Sequence, residues 1–282
     1  MKTTALFIFA SLAWARASQA QFSHHLLKVQ QYSQQENEAV VKQFQGLRLT
    51  DVTDALDVAG LADIMMMDTG IRPMWQDKEK FTHRIYGVAV TVRFVPAQER
   101  PPVFANREDY YKWYKAWGNT GSSGMLQAQP STGPGLTSFL TKDTVLVIDA
   151  SRTREFGICG SANAYGWLIN GMRGIVTDGG CRDSDEMILE GIPVYHRGPA
   201  RGVNQGRRIV ESWNTPVNVG GVLVMPGDII VADFDGVVVV PRAKAAAVAA
   251  EAHSIQERDK GGRRKMYEKL GRPADFTVLP ER

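Results

Sequence analysis

The chain has 282 residues, 44% hydrophobic and 22% charged, with 33 Lys+Arg against 30 Asp+Glu for a net charge of +3. That mix belongs to a globular protein with a real core, and one fold of ~200–250 residues plus extensions fits the length. Gly 27 and Pro 13 exclude a collagen-like or low-complexity chain, the charge balance argues against a dedicated nucleic-acid binder, and two cysteines exclude a disulfide scaffold or a four-cysteine zinc site.

Met1-Lys2 is a short basic start, followed by the largely apolar run Ala5 to Ala15 (ALFIFASLAWA). The run is too short to span a bilayer comfortably and leads to the small residues Ser18 and Ala20, the pattern of a secretory signal cleaved near Ala20. Cleavage would remove Lys2 and Arg16 and no acid, leaving a nearly neutral, exported chain without a stable membrane span. Residues 21–36, rich in Gln, Ser and His, read as a loose lead-in, with His24 and His25 in it. Residues 37–282 read as a single domain.

Val40 to Gly46 reads as a short helix. In T-D-V-T-D-A-L-D-V-A-G, Thr50 is the expected cap, Asp51 and Asp54 favour the positive helix start, and Gly60 ends the helix. Val88 to Val95 (VAVTVRFV) alternates and is β-branched, so it predicts a strand. Residues 97–137 interrupt this pattern as an insertion with an aromatic patch (Tyr110, Tyr111, Trp113, Tyr114, Trp117), read as a helix packing its rings on the body or on a subunit neighbour. The glycine-rich stretch 118–124 (GNTGSSG) lacks the Gly-Lys-Ser/Thr ending of a phosphate loop and reads as a lid or loop near a site.

Thr144 to Ile148 predicts a buried strand, Gly160 to Met172 a helix with Ser161 as its cap, and Gly174 to Asp178 a strand. A short helix follows over Ser184 to Glu190, with Asp185 and Glu186 at its start, and then a strand over Pro193 to His196. Val217 to Val240, dense in Val, Ile and Gly, predicts short hairpin-like strands, with Asp233 and Asp235 making a turn. Pro241 opens an Ala-rich helix whose charged continuation covers 257–272. Its basic residues Arg258, Lys260, Arg263, Arg264 and Lys265 read as a solvated face. The expected class is α/β, a compact, partly antiparallel β core flanked by helices.

One constellation carries chemistry. Gly160-Ser161-Ala162-Asn163 would start a helix, and helix starts offer unpaired N–H groups to an anion. Arg182-Asp183 follows a strand–turn. Arginine can grip a carboxylate through two parallel N–H bonds, and aspartate is a hard oxygen ligand suited to Mg2+, which keeps several of its waters. Together they would hold a small carboxylate chelated to a metal; the plainer reading is a surface ion pair and a helix cap. Cys159 and Cys181 flank these segments and read as two unpaired, partly buried thiols, with a disulfide as the alternative.

The stretch G-M-R-G-I-V-T-D-G-G-C-R-D (Gly171 to Asp183) resembles the signature of the family containing 4-hydroxy-4-methyl-2-oxoglutarate aldolase and the ribonuclease-activity-regulator A proteins, also labelled dimethylmenaquinone methyltransferase-like. T-D-V-T-D-A-L-D (50–57), G-V-A-V-T-V-R (87–93), V-L-V-I-D-A (145–150) and P-G-D-I-I-V-A-D-F-D-G-V-V-V-V-P (226–241) resemble further blocks of that family in the same order. The likeness covers roughly residues 45–260 without the insertion.

The resemblance implies a swivelling β/β/α-like fold assembled as a homotrimer or hexamer, with sites at subunit interfaces. It implies Asp183 as ligand to Mg2+ or another divalent ion such as Mn2+, Arg182 on the carboxylate of a small 2-oxo acid, and Gly160, Ser161, Ala162 and Asn163 as substrate-binding residues. It further implies a second acid from a neighbour's C-terminal helix, for which Glu257 is the nearest candidate, with Asp259 close by. The implied chemistry is retro-aldol cleavage of 4-hydroxy-2-oxo acids, or decarboxylation of oxaloacetate, both leaving a pyruvate enolate stabilised by the metal. No Schiff-base lysine is required, and Lys142 reads as a solvated loop residue. The chain departs from the family where Ser161 replaces a usual acid. A non-catalytic binding or regulatory protein on the same scaffold is the alternative.

Overall fold

A computed structural model describes residues 26–120 and 134–279. The signal-peptide reading of residues 1–20, the histidines 24 and 25, and most of the glycine-rich stretch 118–124 therefore lie outside the described residues. Among the described residues, no helix is long and apolar enough to cross a membrane.

In chain order the elements are α1 (Gln34–Lys42), α2 (Leu49–Val58), α3 (Ala62–Met65), β1 (Arg72–Pro73), β2 (Ile85–Pro96), α4 (Arg107–Thr120), β3 (Thr144–Asp149), β4 (Phe156–Cys159), α5 (Ser161–Ile169), β5 (Gly174–Thr177), β6 (Gly180–Cys181), α6 (Ser184–Leu189), β7 (Val194–His196), β8 (Gly202–Val203), β9 (Arg208–Trp213), β10 (Val217–Val219), β11 (Val222–Val224), β12 (Ile229–Asp233), β13 (Gly236–Val240) and α7 (Ala245–Lys269). The main sheet runs β1-β7-β5-β3-β2-β12-β13, and β9 also pairs with β2. The pairs from β2 through β3 and β5 to β7 are parallel, whereas β12, β13 and β9 run antiparallel. The expected mixed α/β core is thus present, as a nearly closed, barrel-like sheet flanked by helices.

The twelve-residue β2 is the spine of this sheet. Its first residues, Ile85–Val88, pair with β12, and Val92–Pro96 pair with β9, with a register shift between Arg93 and Phe94 inside the second pairing. All six residues of β3 are buried. Strand alternation sends Leu146 and Ile148 into the cluster under α5, and Val145 and Val147 into the sheet interior with Tyr195 and Val239. A strand buried on both faces reads as a continuous apolar run, because neither face meets water. Burial of a side chain such as Leu146 stabilises the fold by about 1.5–3 kcal/mol. A third cluster packs α1, α2 and α7 on β12 and β13.

Several local expectations change. The lead-in ends earlier, because Ser33 caps α1 and the Glu36 side chain accepts from the Ser33 N–H, closing a capping box. Thr50 lies inside α2 and is not its cap. The start of α2 is held by Asp51, which accepts from the Arg48 N–H, and by Asp233, which accepts from the Leu49 N–H at 3.0 Å. Gly60, at φ +71°, ends the helix as expected. The C-terminal basic cluster is only partly a solvated face: Lys260 is buried, and Arg263 and Arg264 donate to Thr277 and Val278 of the returning tail.

Candidate functional site

Strands β4 and β6 lie side by side and parallel, with Cys159 opposite Cys181. Each strand runs directly into one half of the constellation, Gly160–Asn163 after β4 and Arg182-Asp183 after β6. Parallel pairing therefore delivers both segments to the same carboxyl edge, where α/β sheets bind ligands. The Arg182 N–H donates to the Cys159 carbonyl at 3.0 Å and locks the two chain turns together.

Gly160 is the cap residue of α5, and Ser161 is the first residue of the helix rather than its cap. The Ser161 N–H donates to Asp183 Oδ2 at 3.3 Å, while Arg182 Nε donates to Asp183 Oδ1 at 3.0 Å. The carboxylate is thus shared between a helix start and a guanidinium, both of which favour negative charge. Asp183 adopts a left-handed backbone, φ 57° and ψ 43°, and caps α6; aspartate tolerates that region better than most residues. Gly160 permits the contact, since a Cβ there would stand 2.2 Å from Asp183 Oδ2. Gly157 plays the same part for the arginine, with Arg182 Cγ 2.6 Å from where its Cβ would lie.

Gly157, Gly160, Arg182 and Asp183 line a cavity of about 220 Å3 together with Ala162 and Asn163, whereas Ser161 is not among its lining residues. Arg182 and Asp183 remain about one-third exposed, so they can meet a ligand. The inner wall is apolar, built from Phe94, Leu136, Ile148, Ile158 and Trp167. Tyr114 of α4 closes one side, and Asn204 and Gln205 add amides at another. Sequence reasoning missed these three. The signal for Tyr114 was the spacing of Tyr110, Trp113, Tyr114 and Trp117, which share one helix face. That face was expected to pack. Its rings do stack on one another, Tyr110 on Tyr114 at 5.8 Å and Trp113 on Trp117 at 5.9 Å, yet Tyr114 also reaches the cavity.

Other sequence candidates fall elsewhere. Glu257 lies on α7, bonded to Lys260 Nζ at 2.9 Å, and does not line the cavity of its own chain. Asp233 forms the turn, accepting from the Asp235 N–H at 2.9 Å. Asp185 and Glu186 occupy the first turn of α6. Lys142 pairs on the surface with Glu38 at 2.9 Å. His196 is buried in β7, and desolvation lowers its pKa to about 4. Cys159 and Cys181 are unpaired thiols, fully rather than partly buried, with Sγ atoms 3.3 Å apart. Contact with Cys159 and burial push the Cys181 thiol well above its ordinary value. Among the described residues, no group of three or more His, Cys, Asp or Glu side chains could hold a metal.

An arginine–aspartate pair thus meets a helix start at the carboxyl edge of the small parallel sheet β6-β4-β8, beside the mixed, barrel-like main sheet of an α/β protein. The model of the RraA-like family, described as Aldolase/RraA, matches residues 49–239, and the chain belongs to that family. It is 25% identical over 191 residues to protein DlpA of Legionella pneumophila, covering 68% of this chain and 26% of that protein. It is 30% identical over 145 residues to a Halalkalibacterium halodurans protein named "Putative 4-hydroxy-4-methyl-2-oxoglutarate aldolase", covering 50% of this chain and 62% of that one. The chain thus spans less than two-thirds of the length of these curated relatives. Streptomyces coelicolor RraAS2, titled an unusual member of the RNase ES inhibitor RraA protein family, shares the fold with a TM-score of 0.61 at 22% identity, covering 84% of this chain and 99% of that one.

Proposed function

We propose that the protein is a divalent-metal-dependent lyase. It would release pyruvate from 4-hydroxy-2-oxo acids by retro-aldol cleavage, decarboxylate oxaloacetate, or do both. The observation that carries this reading is the meeting of Arg182, Asp183 and the Ser161 amide around one carboxylate. The aldolase name of relatives at about this identity supports it.

The donor set fits a hard cation that keeps most of its waters. One partly exposed carboxylate faces a polar mouth, and Mg2+ commonly takes only one or two protein ligands. Asp183 would be the protein ligand, for Mg2+ or Mn2+. Once bound, such an ion supplies Lewis-acid stabilisation of negative charge on a 2-oxo acid. The chain's own groups do the rest. Arg182 holds the substrate carboxylate and fixes its orientation. The first amides of α5, at residues 161–163, face the same anion, and Gly160 keeps the approach open. The apolar wall excludes water behind the reacting carbon and suits a substrate with an apolar substituent. Glu257 would act as base only where the α7 helix of a second chain reaches this cavity, so a homotrimer or hexamer belongs to the proposal. Export after cleavage near Ala20 belongs to it as well.

Ser161 favours a second reading, a carboxylate-binding or regulatory protein without turnover, because a serine brings no charge to the metal's waters. Pyruvate release from oxaloacetate separates the two. The lyase reading expects release that requires Mg2+, stops on chelation, and is abolished by Arg182→Ala and by Asp183→Ala. Metal-independent release, or full activity in both variants, overturns it.

A further inference from the structure

A second, larger cavity of about 560 Å3 lies between α7, the returning C-terminal tail and the loop before β2, within the size range of small-molecule sites. It shares no lining residue with the cavity at Arg182. Its lining holds five cationic side chains, Arg48, Lys80, Arg84, Lys260 and Arg263, and no carboxylate. Arg48 is paired with Asp51 and Asp259, and Lys260 with Glu257, so their charges are partly answered. Arg263 is turned by a bond to Thr277 Oγ1 at 3.1 Å and feels the Asp275 carboxylate. Lys80 and Arg84 form no ion pair among the described residues.

Arg84 is the telling group. Its guanidinium lies 4.4 Å over the Phe81 ring, and its buried Nε has no hydrogen-bond partner among the described residues. A buried N–H without an acceptor is costly, and native structures rarely leave one unless something else meets it. The loop that carries Lys80 and Phe81 is built to hold its shape. Asp77 accepts from the backbone N–H groups of Glu79, Lys80 and Thr82, and from the Thr82 hydroxyl. Phe81 sits at φ +57°, a region an aromatic residue seldom adopts, and strain of that kind gathers at binding sites. Its ring rests on Phe276 of the tail at 5.3 Å.

We propose that this cavity binds a small, multiply charged anion, a phosphate ester or a polycarboxylate, with Arg84, Arg263 and Lys80 as its principal contacts. A single negative charge would satisfy only one of the three cations, whereas two or more charges span them. Guanidinium groups offer paired N–H donors to either oxyanion, so the lining selects for charge number rather than for phosphorus or carbon.

Calorimetric titration of the full chain with pyrophosphate, citrate and acetate, followed at two salt concentrations, tests the proposal. Pyrophosphate or citrate should saturate one site per chain and bind at least tenfold tighter than acetate, and the affinity should fall as salt rises. Binding of pyrophosphate alone assigns the phosphate class, and binding of citrate alone the polycarboxylate class. Arg84→Gln should weaken binding at least tenfold. Lys80→Ala, on an exposed side chain that cannot disturb the core, should weaken it several-fold. Arg182→Ala should leave it unchanged even if it stops pyruvate release, so this site and the lyase site fail separately. No saturable binding of either polyanion overturns the proposal. So does binding that survives both Arg84→Gln and Lys80→Ala, or binding that Arg182→Ala removes.

Discussion

Ser161 and Asp183 stand 22 residues apart in sequence, yet the amide of one donates to the carboxylate of the other at 3.3 Å. The contact joins the start of α5 to the cap of α6. It exists because β4 and β6 are parallel neighbours that end level with each other. A negative charge at that point is already favoured by the protein, and a ligand's anionic group would enter the same field.

Gly160 is the residue on which this closeness depends. Gly160→Ala places a methyl group 2.2 Å from Asp183 Oδ2, so the aspartate or the helix start must move. A displacement near 1 Å at a reacting group can cost about 10²-fold in rate. Pyruvate release should therefore fall by roughly that factor, while overpacking destabilises the fold by only about 1–3 kcal/mol. Steady-state kinetics together with thermal melting checks this; unchanged kcat/KM would mean that the corner does not need the close approach.

Tyr114 brings the insertion into the site. Tyr114→Ala opens the apolar side of the cavity without touching Arg182 or Asp183. The KM for 4-hydroxy-2-oxo acids with apolar substituents should rise about tenfold, in line with the loss of hydrophobic contact. Turnover of oxaloacetate, which has no apolar tail, should change little. A substrate panel run on both proteins decides the point.

His196 makes the fold sensitive to acid. Burial lowers its folded pKa to about 4, whereas the unfolded chain titrates near the ordinary 6.5. Between those values the unfolded state binds more protons, so stability rises with pH. The contribution is complete above about pH 6.5, erodes as pH falls towards 4, and levels off below. Chemical denaturation from pH 4 to 7.5 should show that slope, and His196→Gln should flatten it. An equal slope in the variant would place the titration elsewhere.

The strands were legible because β-branched runs such as Thr144–Asp149 leave few other choices. The meeting of Gly160–Asn163 with Arg182-Asp183 was legible because each is a contiguous motif that follows a strand. What escaped was assembled over distance. The carboxylate that holds the first N–H of α2 belongs to Asp233, 184 residues away, so local reading settled on Thr50. Ser33 and Glu36 were a readable capping box hidden in a polar stretch that looked like lead-in. Lys260 looked solvated because helix periodicity alone does not reveal that the folded chain buries it. The apolar wall behind Arg182 draws on β2, β3, β4, α5 and the segment before β3, and no local pattern announces such a surface.

The most direct measurement of the central claim is a crystal structure of the protein soaked with Mg2+ and pyruvate. The account predicts the ion beside the Asp183 carboxylate and the pyruvate carboxylate on the Arg182 guanidinium and the first amides of α5. Ligands bound elsewhere, with that corner empty in a protein that still turns over oxaloacetate, would contradict it.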